Sequence, residues 1–269
     1  MTVIVFLVAG MSSRFGGNPK QMAIVGPNNE TLIEYSVNQA LKANFSKIIF
    51  ITNSKTEKLF FDIFGNSYKS IPVEYIEQKY DKSKRTRPWG TADAISSIQI
   101  DEPFIMLNGD DIYGENSFKI GFELIEKNMT NIIGGIKIID TLPENGLVNR
   151  GVIFTRIDPE TGLNMVTGLK EMLNISKPNN PELHNESGNM NFIGLQPDAL
   201  KEIKKIVDDF KNAHKDDPKI ECMLTDIIGD LINTNKMEMQ YFDLSNKIIG
   251  ITNPGDEITV RELLKLKIL

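Results

Sequence analysis

Residues 2–9 form an almost unbroken run of β-branched and apolar side chains that ends at Gly10. A strand of that composition has no face to give to water, so it belongs inside a sheet covered on both sides, as parallel strands are in α/β folds. The pattern downstream agrees. Residues 47–52, 73–78 and 104–108 have the short apolar or alternating character of strands, while residues 31–43 and 56–64 space their apolar side chains as helices do. Such alternation predicts an α/β fold with a mixed, mainly parallel central sheet flanked by helices, whose ligands gather at the carboxyl ends of the strands. The second half is less regular. Strands are expected over 131–139, 149–157 and 237–244, and helices over 197–211, 219–233 and 257–267. A loop or hairpin is expected at 141–146, and a polar loop or lid at 176–188. With no repeat, low-complexity stretch or linker, residues 1–269 are expected to form a single domain.

Charge and cysteine usage narrow the class. A net charge of -6 argues against a general nucleic-acid binder, which needs surplus cations to displace counterions. The only cysteine, Cys222, leaves no intramolecular disulfide to form and suits a reducing compartment. The apolar start lacks a basic flank and a small-residue cleavage site, and no later run approaches the ~20 residues that span a bilayer. The expectation is a soluble cytoplasmic protein without nucleic-acid or membrane partners. His184 and His214 lie in polar surroundings without metal-ligand spacing and are expected to be solvated.

Chemistry concentrates in three places. After the first strand, Ala9, Gly10 and Met11 open a turn in which peptide N–H groups can approach an anion, and Arg14 and Lys20 add two cations. A planar guanidinium fork and a compact ammonium together suit a triphosphate. An ordinary turn with two solvated cations is the bland alternative. After the strand at 104–108, Asn108-Gly109-Asp110-Asp111 places at least one carboxylate at the same sheet edge, where a magnesium ion could use it together with waters and phosphates. Between them, Gln78 carries an amide able to read a base edge, and Pro88-Trp89-Gly90-Thr91-Ala92 combines a rigid turn with the only tryptophan. Lys79 and Lys82 in the intervening basic stretch are expected to be solvated.

These segments resemble the nucleotidylyltransferases that join a nucleoside triphosphate to a sugar 1-phosphate, which have a Rossmann-like, GT-A-like fold. The turn from Gly10 to Gln21, Gly90-Thr91-Ala92 and Asp110 carry the resemblance, and Phe15-Gly16-Gly17-Asn18-Pro19-Lys20-Gln21 also looks like the cytidylyltransferase of isoprenoid synthesis. The resemblance implies that Ala9, Gly10, Met11, Arg14 and Lys20 hold the triphosphate, with Arg14, Lys20 and Asp110 catalytic. It also implies that Gln78, Gly90 and Thr91 contact the base, and that Gly151, Glu171 and Asn191 meet the sugar phosphate. The implied metal is Mg²⁺ on Asp110, with a second ligand at Thr252 or Asn253, taken as Asn253. Two departures stand out: Ser12 replaces a cradle glycine, and Met172 replaces the lysine that commonly grips the sugar phosphate, leaving Lys170 or Arg150 as its replacement or an unusual acceptor as the alternatives. The implied reaction is nucleotide-sugar formation from UTP or dTTP. Two alternatives are a cytidylyltransferase acting on a polyol or other alcohol phosphate and a non-catalytic nucleotide sensor.

Overall fold

The computed structural model describes residues 1–10, 19–142, 146–244, 248–251 and 253–266. In chain order the elements are β1 (Val3–Leu7), α1 (Leu32–Ala40), β2 (Lys47–Thr52), α2 (Glu57–Phe64), β3 (Ser67–Tyr68), β4 (Ile71–Glu77), α3 (Thr91–Ser96), β5 (Phe104–Asn108) and β6 (Asp111–Ile112). They continue with α4 (Glu115–Asn128), β7 (Asn131–Lys137), β8 (Val148–Ile157), β9 (Asn164–Ile175) and β10 (Ser187–Leu195). The chain closes with α5 (Pro197–Ala213), α6 (Leu224–Asn233), β11 (Met239–Asp243), β12 (Ile249–Gly250) and α7 (Asp256–Lys265). Two compact units emerge: Met1–Lys79, Glu102–Glu126 and Leu244–Leu269 make the first, and Tyr80–Asp101 with Lys127–Asp243 the second.

The first unit contains the expected parallel sheet. β1 pairs in parallel with both β2 and β5, and β2 with β4, giving the order β4-β2-β1-β5, with β3 added antiparallel on β4. Val3, Ile4, Val5 and Phe6 of β1 are fully buried, as a strand covered on both faces requires. Phe50 stacks among Phe6, Phe60, Phe64 and Tyr75, so the sheet and α2 share one aromatic core. The start of α1 is set locally. Thr31 and Glu34 form a reciprocal capping box, the hydroxyl accepting from Glu34 N and the carboxylate from Thr31 N. A second cluster, Val25, Leu32, Ile112, Ile251, Val260 and Leu264, holds the C-terminal β12 and α7 against β6 and α1.

The second unit is largely antiparallel. Its strands run β10-β7-β11-β9-β8, with only β7 and β11 parallel, and β8 returns to pair with Ser187 and Gly188 of β10. Helices α3, α5 and α6 complete it. The long strand β9 falls outside the expected elements, because its lysine, glutamate and asparagine interrupt any clean alternation. The helix expected over 219–233 begins only at Leu224. Residues 218–222 instead bond an extended partner: Thr86 N donates to Pro218 O, Cys222 N to Trp89 O and Ala92 N to Cys222 O. The segment at 176–188 holds a short 3-10 turn at Pro181–Leu183 and then enters β10. Among the described residues, no helix is long and apolar enough to cross a membrane.

Candidate active site

In the first unit the four parallel strands end on one edge, and the strand order reverses between β1 and β5. That reversal opens a crevice at the carboxyl ends, where α/β sheets bind nucleotides. Gly10 follows β1 there and Asp110 follows β5. Lys20, on a 3-10 turn from Lys20 to Met22, reaches across and forms an ion pair with Asp110. The two groups are partly buried, at 23% and 21% exposure, and both remain open to a ligand. Gly109 allows the approach: its N–H donates to Leu7 O at 3.0 Å, and a Cβ there would lie 2.3 Å from Val8 Cγ1. Ala9 O accepts from Asn53 Nδ2 at 2.9 Å, tying the exit of β1 to the exit of β2. Gln78, 8% exposed, follows β4 on the same edge, its N–H donating to Thr52 O. Met11, Ser12 and Arg14 lie outside the described residues.

The carboxylates have their own scaffold. Asp111 Oδ2 accepts from Asn108 Nδ2 at 3.0 Å, and its other oxygen lies over the Cα of Gly250, 2.0 Å from where a Cβ would stand. Ile251 N donates to Asp110 O, so the segment leading to Asn253 adjoins this turn. Asn253 itself is exposed and donates its N–H to Asp256 Oδ2 at 2.7 Å. Thr252 lies outside the described residues. Among the described residues, no group of three or more His, Cys, Asp or Glu makes a complete metal cage. Asp110 and Asp111 therefore offer hard oxygen donors of the kind magnesium uses together with phosphate oxygens. Beside Lys20, the buried Gln21 has a side-chain oxygen with no hydrogen-bond partner among the described residues, a feature its sequence position did not reveal.

The second unit presents two further groups. Gly90 has φ +102°, and a Cβ would meet Cys222 O at 2.5 Å, so only glycine fits against that strand. Thr91 Oγ1 accepts from Leu224 N at 3.0 Å, which joins α3 to the start of α6. One face of Trp89 is covered by the Arg85 guanidinium, 3.4 Å from the ring centre, and its edge meets Phe210. Arg85, 4% exposed, donates to Asp217 O, Ile220 O and Arg87 O. The tryptophan and this arginine are thus parts of the packing that shapes Gly90. Behind Thr91, Lys211 of α5 forms an ion pair with buried Asp93.

The second group lies on β8, β9 and β10. Gly151 pairs with Glu171, and a Cβ at 151 would lie 3.0 Å from Asn189 Cβ and 3.5 Å from Glu171 Oε2. A bulge between Asn189 and Phe192 puts Asn191 at φ +58°, where Asn189 Oδ1 accepts its N–H at 2.8 Å. Gly151, Glu171 and Asn191 are therefore brought together, along with Asn189 and Thr225, whose hydroxyl accepts from Asn189 Nδ2. Burial raises the Glu171 carboxyl above its ordinary value, the Asp226 charge adds to this, and Arg150 opposes it. Asp226 is raised as well, by burial and then by Asp230. Asn189 and Asp226 were not singled out as site residues from the sequence, since only strand pairing and the packing of α6 on β9 bring them to Glu171.

A sheet of this order, with a lysine–carboxylate pair at its reversal, places the chain in the class of nucleotide-handling α/β proteins. More narrowly, residues 15–243 match the nucleotidyl transferase family, and the chain belongs to that family. Solved structures agree on the fold. A UDP-glucose pyrophosphorylase complexed with UDP-glucose superposes with a TM-score of 0.71 at 19% identity, covering 99% of each chain. An inositol-1-phosphate CTP transferase from T. maritima gives 0.66 at 15% identity, covering 98% of this chain and 94% of its own. A putative glucose-1-phosphate thymidylyltransferase from Bacillus anthracis gives 0.69 at 12% identity, covering 98% and 96%. No curated protein sequence matches.

Proposed function

We propose that the protein is a magnesium-dependent nucleotidylyltransferase that makes a nucleotide sugar and pyrophosphate from UTP or dTTP and a sugar 1-phosphate. The observation that carries this reading is the Lys20–Asp110 pair at the β1/β5 reversal. The acceptor's phosphate oxygen attacks the α-phosphorus, the bond to the β-phosphate breaks, and pyrophosphate leaves with the charge. Lys20 and Arg14 stabilise the charge that spreads over the phosphoryl oxygens as the bond breaks, so no protein nucleophile is required. Ala9, Gly10 and Met11 line the triphosphate, while Gln78, Gly90 and Thr91 contact the base. Glu171 and Asn191, with Gly151 leaving room between them, hold the acceptor's hydroxyls. Asp110 would hold Mg²⁺, with Asn253 as a second ligand, and the bound ion would supply neutralising charge to the phosphates. A lone, buried cysteine suits cytoplasmic residence.

Pyrophosphate release tests the reading, using CTP, UTP, dTTP, ATP and GTP against hexose 1-phosphates and a polyol phosphate. Turnover with UTP or dTTP and a hexose 1-phosphate is expected. Lys20→Ala and Asp110→Asn should each fold normally and lower kcat by about 100-fold or more. Near-normal turnover in both variants would overturn the proposal, and activity confined to CTP with the polyol phosphate would replace the substrate class.

A further inference from the structure

Asp110 and Asp111 are adjacent in the chain, yet their carboxylates have different surroundings. Asp110 meets Lys20 and stays open to the crevice. The Asp111 carboxylate is engaged by the protein: Oδ2 accepts from Asn108 Nδ2 at 3.0 Å, Oδ1 lies over the Cα of Gly250, and the Tyr113 phenol is hydrogen-bonded to it. Tyr113 is fully buried, and its Oη also accepts from Asn108 N at 3.2 Å. One hydroxyl thus ties together the two sides of the turn at 108–113. The tyrosine is itself fixed, since Ser117 Oγ of α4 donates to its carbonyl at 2.6 Å and its ring packs edge to face with Phe118. From the other side Ser36 Oγ of α1 donates to Asp111 O, and β12 pairs with β6, Gly250 standing opposite Asp111.

We propose that Asp111 and Tyr113 are positioning residues: with Asn108 they bracket the turn so that Asp110, and not Asp111, presents its carboxylate to the metal, with the segment leading to Asn253 held beside it. The assignment rests on the transferase reading above. A carboxylate that already accepts from an amide and a phenol must give up one of those bonds to ligate a cation. Asp110 parts only from Lys20, whose charge incoming phosphates can engage. Removing the phenol takes an acceptor from Asn108 N and a donor from Asp111 at a buried point, and the turn loosens. Asp110 feels this through the backbone, in the way that contacts outside the ligand set tune a metal site.

The test is a double-mutant cycle read by Mn²⁺ binding, an ion that shares magnesium's preference for oxygen ligands, followed by electron paramagnetic resonance on the full chain. Asp110→Asn should weaken Mn²⁺ by about 100-fold or more, and Tyr113→Phe and Asp111→Ala by about 10-fold each. The double variant Tyr113→Phe/Asp111→Ala should also lose about 10-fold rather than about 100-fold, because the phenol acts through the carboxylate. Asp111→Asn, whose amide oxygen can still accept from the phenol, should recover most of the loss seen in Asp111→Ala. In turnover, the Mg²⁺ concentration for half-maximal rate should rise in Tyr113→Phe while the acceptor KM at saturating Mg²⁺ stays unchanged. An Asp111→Asn loss as large as that of Asp110→Asn makes Asp111 a ligand and overturns the inference, as do additive losses or a wild type that binds no Mn²⁺. If Tyr113→Phe does not fold, the comparison of Asp111→Asn with Asp110→Asn and Asp111→Ala decides alone. If wild type turns over while Asp111→Ala and Tyr113→Phe bind Mn²⁺ as it does, the inference alone fails. If the binding pattern is as expected yet no nucleoside triphosphate and acceptor release pyrophosphate, the transferase reading alone fails.

Discussion

Gly90→Ala should damage the second unit far more than its one added methyl suggests. The new Cβ would stand 2.5 Å from Cys222 O, 2.9 Å from Cys222 N and 3.0 Å from Cys222 C, all backbone atoms that no rotamer change can move. Restoring ordinary contact opens the two segments by roughly 1 Å. That opening stretches the bonds from Cys222 N to Trp89 O, now 2.6 Å, and from Ala92 N to Cys222 O, now 3.1 Å. Cys222 is 3% exposed, so water is poorly placed to replace them. Two buried bonds at about 1 kcal/mol each, with about 1–2 kcal/mol for an alanine at positive φ, give a loss of about 3–4 kcal/mol. Gly146→Ala is the control: its φ is +97°, but nothing among the described residues lies within 4 Å of the added methyl. It should cost about 1–2 kcal/mol, the conformational part alone. Urea denaturation followed by the fluorescence of Trp89, the only tryptophan, reads the unit that contains both sites. Equal losses in the two variants would refute the argument from close approach.

Other expectations follow from the buried ionisable groups. Burial, and next the Asp226 charge, raise the folded Glu171 carboxyl above its ordinary value of 4.5, so the folded state holds that proton more tightly than the unfolded chain. Stability is therefore lost as pH rises from about 4.5 through the folded value, and Glu171→Gln should flatten this part of a urea-denaturation pH profile while raising the acceptor KM. An unchanged pH slope in the variant would remove Glu171 as its source. Burial, helped by Asp93 and Asp226, pushes the Cys222 thiol up to about 11, so a disulfide reagent at pH 8 should modify it slowly in the native protein and rapidly in urea. Rapid modification of the native form would contradict that enclosure. In Gly90→Ala the native rate should rise, because the strand over Cys222 is displaced.

How much was legible in the sequence differs between the two halves. β1, β2 and β5 were readable because burial on both faces leaves an apolar run that needs no partner to identify, and β4 because it alternates. The helical spacing of apolar residues over 31–43 likewise marked α1 from local sequence. β9 and the late start of α6 were not readable. Residues 219–223 look helical in isolation, and only hydrogen bonds to residues 86–92, more than a hundred positions away, draw them into extended structure. The same non-local bonding explains Arg85 and Trp89, which the sequence placed only in a basic stretch and a rigid turn.

By itself the sequence determined the parallel nucleotide-binding sheet, the family, and the residues placed at strand ends, because a strand's exit and a turn's glycine are local facts. The tertiary structure decided which of those residues meet. Lys20 finds Asp110 because β1 and β5 are neighbours although nearly a hundred residues separate them, and Gly151 finds Glu171 through the register of one ladder. Burial and strand register depend on contacts between distant parts of the chain, so no window of sequence contains them.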